Sequence, residues 1–232
     1  MRNWLFNNPR VAIFDGAMAG SDFSPLPVSD RPVRRLLQLF GGLTLYGVAM
    51  GMQVRAELGL DPWDVLHEGL ARRTGLSFGL ITALTGLVVL LLWIPLRQRP
   101  GIGTVSNVVM IALSVDLTLA LLPTPSSLPV RIGLLVAGVV LNGLASAAYI
   151  GARLGPGPRD GLMTGFCART GWSVRLVRTG IEVTVLAVGW LLSGTVGVGT
   201  VFYALAIGPL VQVFLPRVAV SAPTTAPVRT LA

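Results

Sequence analysis

The sequence LGLDPWDVLHEGLARRTGLS, residues 58–77, recurs 96 positions later as LGPGPRDGLMTGFCARTGWS, residues 154–173. We call these stretches the first and second inserts. They share the pattern L-G-x-x-P-x-D-x-L-x-x-G-x-x-x-R-T-G-x-S, which chance similarity between apolar runs does not explain. With the same offset, residues 35–120 align with 131–216 without a gap, ending on GIGTV (101–105) against GVGTV (197–201). The chain therefore contains an internal repeat.

Long apolar runs surround the inserts. The chain is 53% hydrophobic and 12% charged, against about 25% charged residues in a soluble domain. Windows near 36–54, 79–96, 102–122, 132–152, 176–193 and 199–215 each approach the roughly 17–25 apolar residues that cross a bilayer. This pattern predicts an all-α integral membrane protein with six transmembrane helices. The net charge of +8 does not indicate nucleic-acid binding, because the arginines flank the apolar runs.

Three spans per copy is an odd number, so the second copy is expected to cross the membrane in the opposite direction. Such inverted repeats are typical of many transporters. The predicted organisation is an N-terminal tail (1–33), membrane repeat 1 (34–123), an inverted membrane repeat 2 (124–217) and a C-terminal tail (218–232). Residues 1–30 and 218–232, rich in Pro, Ser, Thr and Ala, are predicted to be loosely ordered.

Arginine placement predicts the orientation, since arginine and lysine accumulate in cytoplasmic loops. With the N-terminus inside, the cytoplasmic segments hold most of the arginines, including five between Arg153 and Arg178. The three arginines of the first outside loop are outnumbered by acids. We therefore expect a bacterial inner-membrane protein with both termini in the cytoplasm.

Each insert has the signals of a short helix. Asp61 can cap the first, Pro62 and Pro158 suit the first helical position, and Gly75 and Gly171 can end each helix in a left-handed conformation. About 12 residues are too few to span a bilayer. Two placements stay open: a re-entrant helix that lines a cavity, or a helix that lies at the membrane surface.

Polar residues in and near the spans are the candidate contacts for a solute, because ionisable groups in lipid are costly. They are Asp64, His67, Asn107, Asp116, Asn142, Asp160, Glu182 and Gln212. Four of them also have a structural alternative: helix capping for Asp64 and Asp160, an i,i+4 ion pair with Arg178 for Glu182, and a place near the helix end for Asp116. His67 aligns with Met163, so the repeat does not require it.

Further repeated positions are assigned structural or gating roles: Pro62, Arg73, Gly75, Pro158, Arg169 and Gly171. The glycines of GIGTV and GVGTV are interpreted as sites of close helix packing. One cysteine, Cys167, excludes an intramolecular disulfide and a cysteine-based metal cluster. We expect no cofactor, no metal and no catalytic role, because the sequence contains no recognisable enzyme motif.

The strings LGLDPWDVLHEGLARRTGLSFG (58–79) and LLLWIPLRQRPGIGTVSN (90–107) resemble the bacterial YczE-type integral membrane proteins, a largely uncharacterised group with YyaS- and YitT-like members. The resemblance covers about residues 34–217. It implies a protein of the bacterial cytoplasmic membrane and transfers no substrate or catalytic residue.

The functional hypothesis is a small-solute transporter or channel-like protein with its path between the two repeats. The alternative is a non-transporting scaffold for a partner complex, and a third interpretation is an intramembrane enzyme without a visible catalytic constellation. The expected partners are the lipid bilayer and a small solute of unknown identity. Six short spans leave little interior, which makes a homodimer an alternative to a monomer.

Overall fold

A computed structural model describes residues 26–221. Within this range the chain forms eight α-helices and no strand: α1 (Pro32–Ala56), α2 (Pro62–Thr74), α3 (Phe78–Leu96), α4 (Ile102–Leu121), α5 (Leu128–Gly151), α6 (Pro158–Thr170), α7 (Val174–Leu191) and α8 (Val198–Val218). The all-α prediction is confirmed. The predicted tails fall mainly on residues 1–25 and 222–232, which lie outside the described residues.

The two inserts form helices of equal length, as predicted. In α2 the Asp61 carboxylate accepts hydrogen bonds from the backbone N–H groups of Trp63 and Asp64, at 2.8 and 3.0 Å. In α6 the cap position is Gly157, which supplies no side chain. Both helices end on a left-handed glycine, Gly75 or Gly171, with φ of 73° and 72°. The C-terminal ends of α2 and α6 are exposed and their N-terminal halves are buried, so each helix runs inward from the surface.

Four of the described helices are long and apolar enough to cross a membrane: α3, α4, α5 and α8. The other two predicted spans, α1 and α7, are not among them. The helix α7 carries Arg175, Arg178 and Glu182, and α1 carries two arginines near its start and a third at its end. The helix α1 is also well buried by protein, which lowers its need for lipid-like residues. The six-span count therefore stays a prediction.

Helices α1 and α5 form the centre of the fold and run antiparallel. A Cβ on Gly42 of α1 would lie 3.0 Å from Ala148 Cβ of α5, and a Cβ on Gly138 of α5 would lie 3.0 Å from the Ala49 carbonyl of α1. Gly138 is the repeat equivalent of Gly42. The same close contact is therefore made twice, with the two halves exchanging roles.

A pair of arginines repeats this exchange at the helix ends. Arg35 of α1 donates through Nε to the Ala152 carbonyl (2.9 Å) beyond the end of α5. Its equivalent, Arg131 of α5, donates through Nε to the Ala56 carbonyl (2.7 Å) at the end of α1. The last carbonyls of a helix have no partner within the helix, and an arginine can supply one. We call these contacts the reciprocal arginine clamps.

Arg35 departs from the expected role of a membrane-flanking charge. Its side chain is fully buried, and it also binds the carbonyls of Leu26, Pro27 and Asp30. The described ends of the tails are held as well, because the Val220 N–H donates to the Gly151 carbonyl (3.0 Å). The prediction of loose tails is therefore wrong for residues 26–30 and 218–221, whose backbone groups find partners on α1 and at the end of α5.

The glycine strings pack closely, as predicted, but their nearest contacts are with the loops that begin the two inserts, and these contacts join the halves. The N–H of Gly103 donates to the Leu154 carbonyl (3.0 Å), and the N–H of Gly199 donates to the Leu58 carbonyl (2.7 Å). A Cβ on Gly59 would lie 2.6 Å from the Gly197 nitrogen. The start of each insert is therefore held by the glycine string of the other half.

The halves differ most clearly in one helix pair. Helices α3 and α4 pack along each other, and a Cβ on Gly79 of α3 would lie 2.2 Å from the Ala112 carbonyl of α4. Their equivalents, α7 and α8, make no comparable contact. Gly208, the equivalent of Ala112, has no atom within 4 Å of its Cβ position. We call these regions the α3–α4 seam, which is closed, and the α7–α8 seam, which is open.

Candidate functional site

A cavity of about 200 Å³ lies where the buried N-terminal ends of α2 and α6 approach each other. All eight helices contribute to its wall. Its polar lining consists of Tyr46, Asp61, His67, Thr82, Thr85, Asn107, Ser146, Tyr149, Arg159, Asp160, Arg178, Glu182 and Tyr203. The cavity is smaller than the roughly 300–1,000 Å³ of pockets for drug-sized ligands, so it suits a small solute.

Arg159 joins the two inserts at the centre of the cavity. Its guanidinium lies 3.8 Å from Asp61 Oδ1 and 3.7 Å from Asp64 Oδ1, and it covers the Trp63 ring at 4.8 Å from the ring centre. Trp63 and Arg159 are repeat equivalents, so the same position in the two halves supplies the ring and the cation. The distances to the carboxylates exceed hydrogen-bonding range, so the attraction is electrostatic.

The two aspartates of the first insert are buried in a helix too short to span. Burial raises the pKa of Asp61 to about 6, and the neighbouring Asp64 raises it further, while Arg159 opposes the shift. Burial also raises the pKa of Asp64 to about 6, again against Arg159. For Arg159, burial lowers the pKa, but Asp61 and Asp64 outweigh it and hold the pKa above its ordinary value. Burial and the Arg159 charge therefore act in opposite directions on both carboxyl groups.

His67 is a neutral member of this cluster. Burial and the Arg159 charge lower its pKa to about 3, so the imidazole does not titrate near neutral pH. Its Nδ1 lies 3.1 Å from Asp64 Oδ1 and 3.3 Å from Thr82 Oγ1, and its ring meets Phe78 edge-on. The imidazole therefore orients the Asp64 carboxylate from α2 and contacts α3.

The second insert supplies another carboxylate to the cavity. Tyr149 donates its hydroxyl hydrogen bond to Asp160 Oδ2 at 2.9 Å. Burial raises the pKa of Asp160, and this hydrogen bond opposes the shift. On α7, the predicted i,i+4 pair is confirmed, since Arg178 Nε donates to Glu182 Oε1 at 2.9 Å. Both side chains line the cavity at the open α7–α8 seam and stay 45% and 39% exposed.

The structure brings most predicted candidate contacts together. His67, Asn107, Asp160 and Glu182 line the cavity. Asp64 adjoins it through Arg159 and His67. Asn142 is fully buried behind the wall, where its Oδ1 accepts a hydrogen bond from Tyr203 at 3.2 Å.

Asp116 and Gln212 lie outside the cavity. The Asp116 carboxylate accepts hydrogen bonds from Ser77 Oγ (2.5 Å) and the Gly79 N–H (2.6 Å) at the start of α3. It therefore ties the α3–α4 seam together. Gln212, its equivalent on α8, is exposed, and the matching tie is missing from the α7–α8 seam.

The repeated structural positions divide into two groups. Pro62 and Pro158 begin α2 and α6 and line the cavity. The other four lie at the outer ends of these helices: Gly75 and Gly171 end them, Arg73 is exposed, and Arg169 donates to the Pro95 carbonyl.

Sequence reasoning missed Arg159 and the tyrosines as cavity residues, and it treated Asp61 only as a cap. The repeat alignment held the signal, because the candidates Asn142 and Asn107 align with Tyr46 and Tyr203, and Trp63 aligns with Arg159. A pseudo-symmetric centre takes side chains from both halves, so both members of each aligned pair are candidates for the cavity wall.

Residues 26–221 contain no group of three or more His, Cys, Asp or Glu side chains that could hold a metal ion. Cys167 is a free thiol on α6, buried with Met163 and Val177. The cavity therefore offers charge, hydrogen bonds and aromatic surface from the chain's own side chains.

The apolar helices and the polar cavity between them define a helical membrane protein. The family model described as "Family of unknown function (DUF6198)" matches residues 33–216. The chain belongs to this family, and to the YczE-type proteins that the sequence resembles.

Curated relatives agree with this assignment. An uncharacterized protein of Haemophilus influenzae is 40% identical over 181 residues, covering 78% of this chain and 83% of its own. The uncharacterized membrane protein YczE of Bacillus subtilis is 36% identical over 77% of this chain and 84% of its own. The uncharacterized protein YyaS of the same organism is 24% identical, covering 76% and 90%. No solved structure matches the chain.

Proposed function

We propose that the chain is a small-solute secondary transporter of the bacterial inner membrane. In this proposal six helices span the bilayer, both termini are cytoplasmic, and the repeats are inverted about an axis in the membrane plane. The solute binds in the central cavity, and no catalytic role is assigned. The main support for this proposal is a cavity that both halves share. The cavity is closed at the α3–α4 seam and bordered by the open α7–α8 seam.

The exchanged contacts support the inverted arrangement. Antiparallel α1 and α5 make the same close contact twice, at Gly42 and Gly138. The arginine clamps of Arg35 and Arg131 are likewise reciprocal. Such exchange requires an approximate two-fold axis between α1 and α5. Because these helices are antiparallel, an axis across them places the two halves upside down relative to each other.

Placing α1 and α7 among the spans rests on where their polar groups lie. In α7, Arg178 and Glu182 pair with each other and line the cavity, so they do not require lipid contact. Ionisable residues within spans usually face a water-filled cavity or the protein interior. The helix α1 lies between α5 and α4, which gives it protein contacts in place of lipid.

The two half-length helices support a transport site. In many transporters, discontinuous helices end near the bilayer midplane, and their positive N-terminal ends point at anionic groups of the solute. In α2 and α6 the acidic residues of the first turn, Asp64 and Asp160, take the place of such a group. Here the N-terminal ends of α2 and α6 both reach the cavity, at Pro62 and Pro158. This placement favours the re-entrant alternative for both inserts.

The seams support alternating access. In the proposed orientation, the α7 residues that line the cavity lie in the cytoplasmic half, and the α3–α4 contact at Gly79 lies in the outer half. The structure then corresponds to an inward-open state. Exchange of conformations between the halves would close α7 against α8 and separate α3 from α4. A seam closed on one side also favours a transporter over an open channel.

The alternative function is a membrane scaffold, and a different observation supports it. Arg178 and Glu182 stay 45% and 39% exposed on α7, where a partner protein or a second copy of the chain could cover them. A scaffold needs no water path through its centre. The two functions therefore differ in whether the cavity is reached by water-soluble reagents.

A single thiol in the cavity tests this difference. Ser146 lines the cavity and is 8% exposed, so Ser146→Cys is introduced together with Cys167→Ser. The rate of modification by a membrane-impermeant thiol reagent is measured in intact cells and in inverted membrane vesicles. Modification in inverted vesicles, faster than in cells, is expected for an inward-open transporter. A thiol that is inert from both sides, while a surface control at Thr170→Cys reacts, would favour the scaffold.

A further inference from the structure

The charges around the cavity do not balance. Its lining and the adjoining Asp64 contribute four carboxylates, on Asp61, Asp64, Asp160 and Glu182, against two guanidinium groups. Arg178 and Glu182 neutralise each other in a close pair. Arg159 compensates for one of the two aspartates of the first insert. His67 is neutral. The N-terminal ends of α2 and α6 also reach the cavity, and each is equivalent to about +0.5 charge, so an excess of about one negative charge remains.

Two carboxylate oxygens at this centre also lack a hydrogen-bond donor within the described residues. Asp61 Oδ2 and Asp64 Oδ2 are both buried and unpartnered, and the two residues are 2% and 1% exposed. A buried acceptor without a donor costs about 1–3 kcal/mol, and more when it is charged. Asp61 lines the cavity, so a molecule bound there lies beside this carboxylate.

Arg159 shows which chemistry the wall accommodates. Its guanidinium is held between two carboxylates and the face of Trp63. Carboxylates with aromatic faces are a favourable environment for an organic cation, since the ring face is electron-rich. Three tyrosines, Tyr46, Tyr149 and Tyr203, extend the aromatic wall.

We propose that the cavity binds a small organic monocation with N–H donors, an alkylammonium or alkylguanidinium, with Asp61 and Asp160 as its carboxylate contacts. This inference rests on the proposed transport function, because it names the solute class for the same cavity. The N–H groups satisfy the buried Asp61 oxygen, and the positive charge offsets the surplus of carboxylates. A metal cation would use neither the aromatic wall nor the hydrogen-bond geometry.

The test uses two probes of nearly the same shape. Methylguanidinium carries a positive charge, and N-methylurea is its neutral counterpart. Binding of each to the purified full-length protein in detergent is measured by titration calorimetry in sodium phosphate buffer, which contains no amine. Methylguanidinium is expected to bind at least tenfold more tightly than N-methylurea, and sodium acetate is expected not to compete. Equal binding of the two probes, absence of methylguanidinium binding, or competition by acetate would overturn the assignment.

Two variants locate the binding. Asp61→Asn removes the charge but keeps a good helix cap, since asparagine and aspartate cap equally well. It is expected to weaken methylguanidinium binding at least tenfold. Asp160→Asn keeps an acceptor for Tyr149 and is expected to act in the same direction, which covers the case of a poorly folded Asp61 variant. Glu57→Gln, at an exposed carboxylate outside the cavity, is expected to bind like wild type. Unchanged binding in both cavity variants would contradict the proposed contacts.

Uptake into proteoliposomes separates this inference from the transport proposal. Radiolabelled methylguanidinium that binds and also enters protein-containing liposomes supports both. Binding without uptake would support the ligand class and contradict transport of this probe. Uptake of a neutral or anionic solute, without methylguanidinium binding, would overturn the ligand class and leave the transport function standing.

Discussion

The α3–α4 seam and the α7–α8 seam occupy equivalent places in the two halves, yet one is closed and the other open. The two seams differ in sequence at four aligned positions. Gly79 and Gly86 of α3 become Arg175 and Glu182 of α7, while Ala112 and Asp116 of α4 become Gly208 and Gln212 of α8. Small residues and a carboxylate tie allow α3 to approach α4. On α7, Glu182 lines the cavity and pairs with Arg178. The repeat therefore preserves the helices and changes how closely they pack.

The largest expected effect tests the close approach in the α3–α4 seam. Gly79→Ala places a Cβ 2.2 Å from the Ala112 carbonyl, a clash that only backbone movement relieves. We expect a loss of about 3 kcal/mol in stability, at the upper end for overpacking. Gly180→Ala in α7 is the matched control, because no atom lies within 4 Å of its Cβ position. It should stay within about 1 kcal/mol of wild type. Thermal unfolding in detergent measures both, and equal losses would refute the contrast.

The carboxylate tie is the next test. Asp116→Ala removes the acceptor for Ser77 Oγ and the Gly79 N–H, and we expect a loss of about 2 kcal/mol. Gln212→Ala, at the equivalent exposed position, should change stability by less than about 0.5 kcal/mol. Unfolding by denaturing detergent gives both values. A tie that mattered equally in both halves would give equal losses.

Thiol reactivity compares the seams directly. Ala112→Cys and Gly208→Cys are introduced separately with Cys167→Ser, since the two positions are repeat equivalents. Ala112 is buried at 8% exposure and Gly208 has open space around it. The thiol at position 208 should react at least about tenfold faster with a water-soluble reagent, a factor equal to about 1.4 kcal/mol. Similar rates would mean that both seams are equally accessible in solution.

The smallest effect concerns the caps of the two inserts, where Asp61 faces Gly157 in the alignment. Burial raises the pKa of Asp61 to about 6, above the value of about 4 in an unfolded chain. The folded protein therefore binds a proton more tightly, and this contribution to stability is full below about pH 4 and is lost as the pH rises through 6.

Wild type should consequently gain about 1 kcal/mol over Asp61→Asn when the pH falls from 7 to 5. The readout is the difference in unfolding free energy between the two proteins at each pH, which cancels the titration of groups that they share. A difference that is constant with pH would show that Asp61 keeps an ordinary pKa in the folded protein.

Local structure could be predicted from the sequence where local rules decide it. The side-chain cap of α2, the glycine ends of α2 and α6 and the Arg178–Glu182 pair all follow from spacing within a few residues. The residues that line the cavity were harder to predict, because the cavity is built by residues about 96 positions apart. Arg159 lies among four other arginines in a segment that positive-inside topology already explains, so nothing local singles it out. The unequal seams depend on side-chain volume across two helices, and aligned glycines alone do not reveal which pair closes.

The reciprocal arginine clamps also determine when, during synthesis, the ends of α1 and α5 gain their arginine partners. The carbonyls at the end of α1 leave the ribosome long before Arg131, which follows Ala56 by 75 residues. The delay is longer for Arg35, because its partner, the Ala152 carbonyl, is synthesised 117 residues later. The end of α1 therefore gains its arginine partner only after a further 75 of the 232 residues, about a third of the chain, have been made. Two separately expressed halves should therefore rescue each other in one cell, while either half made alone should be degraded.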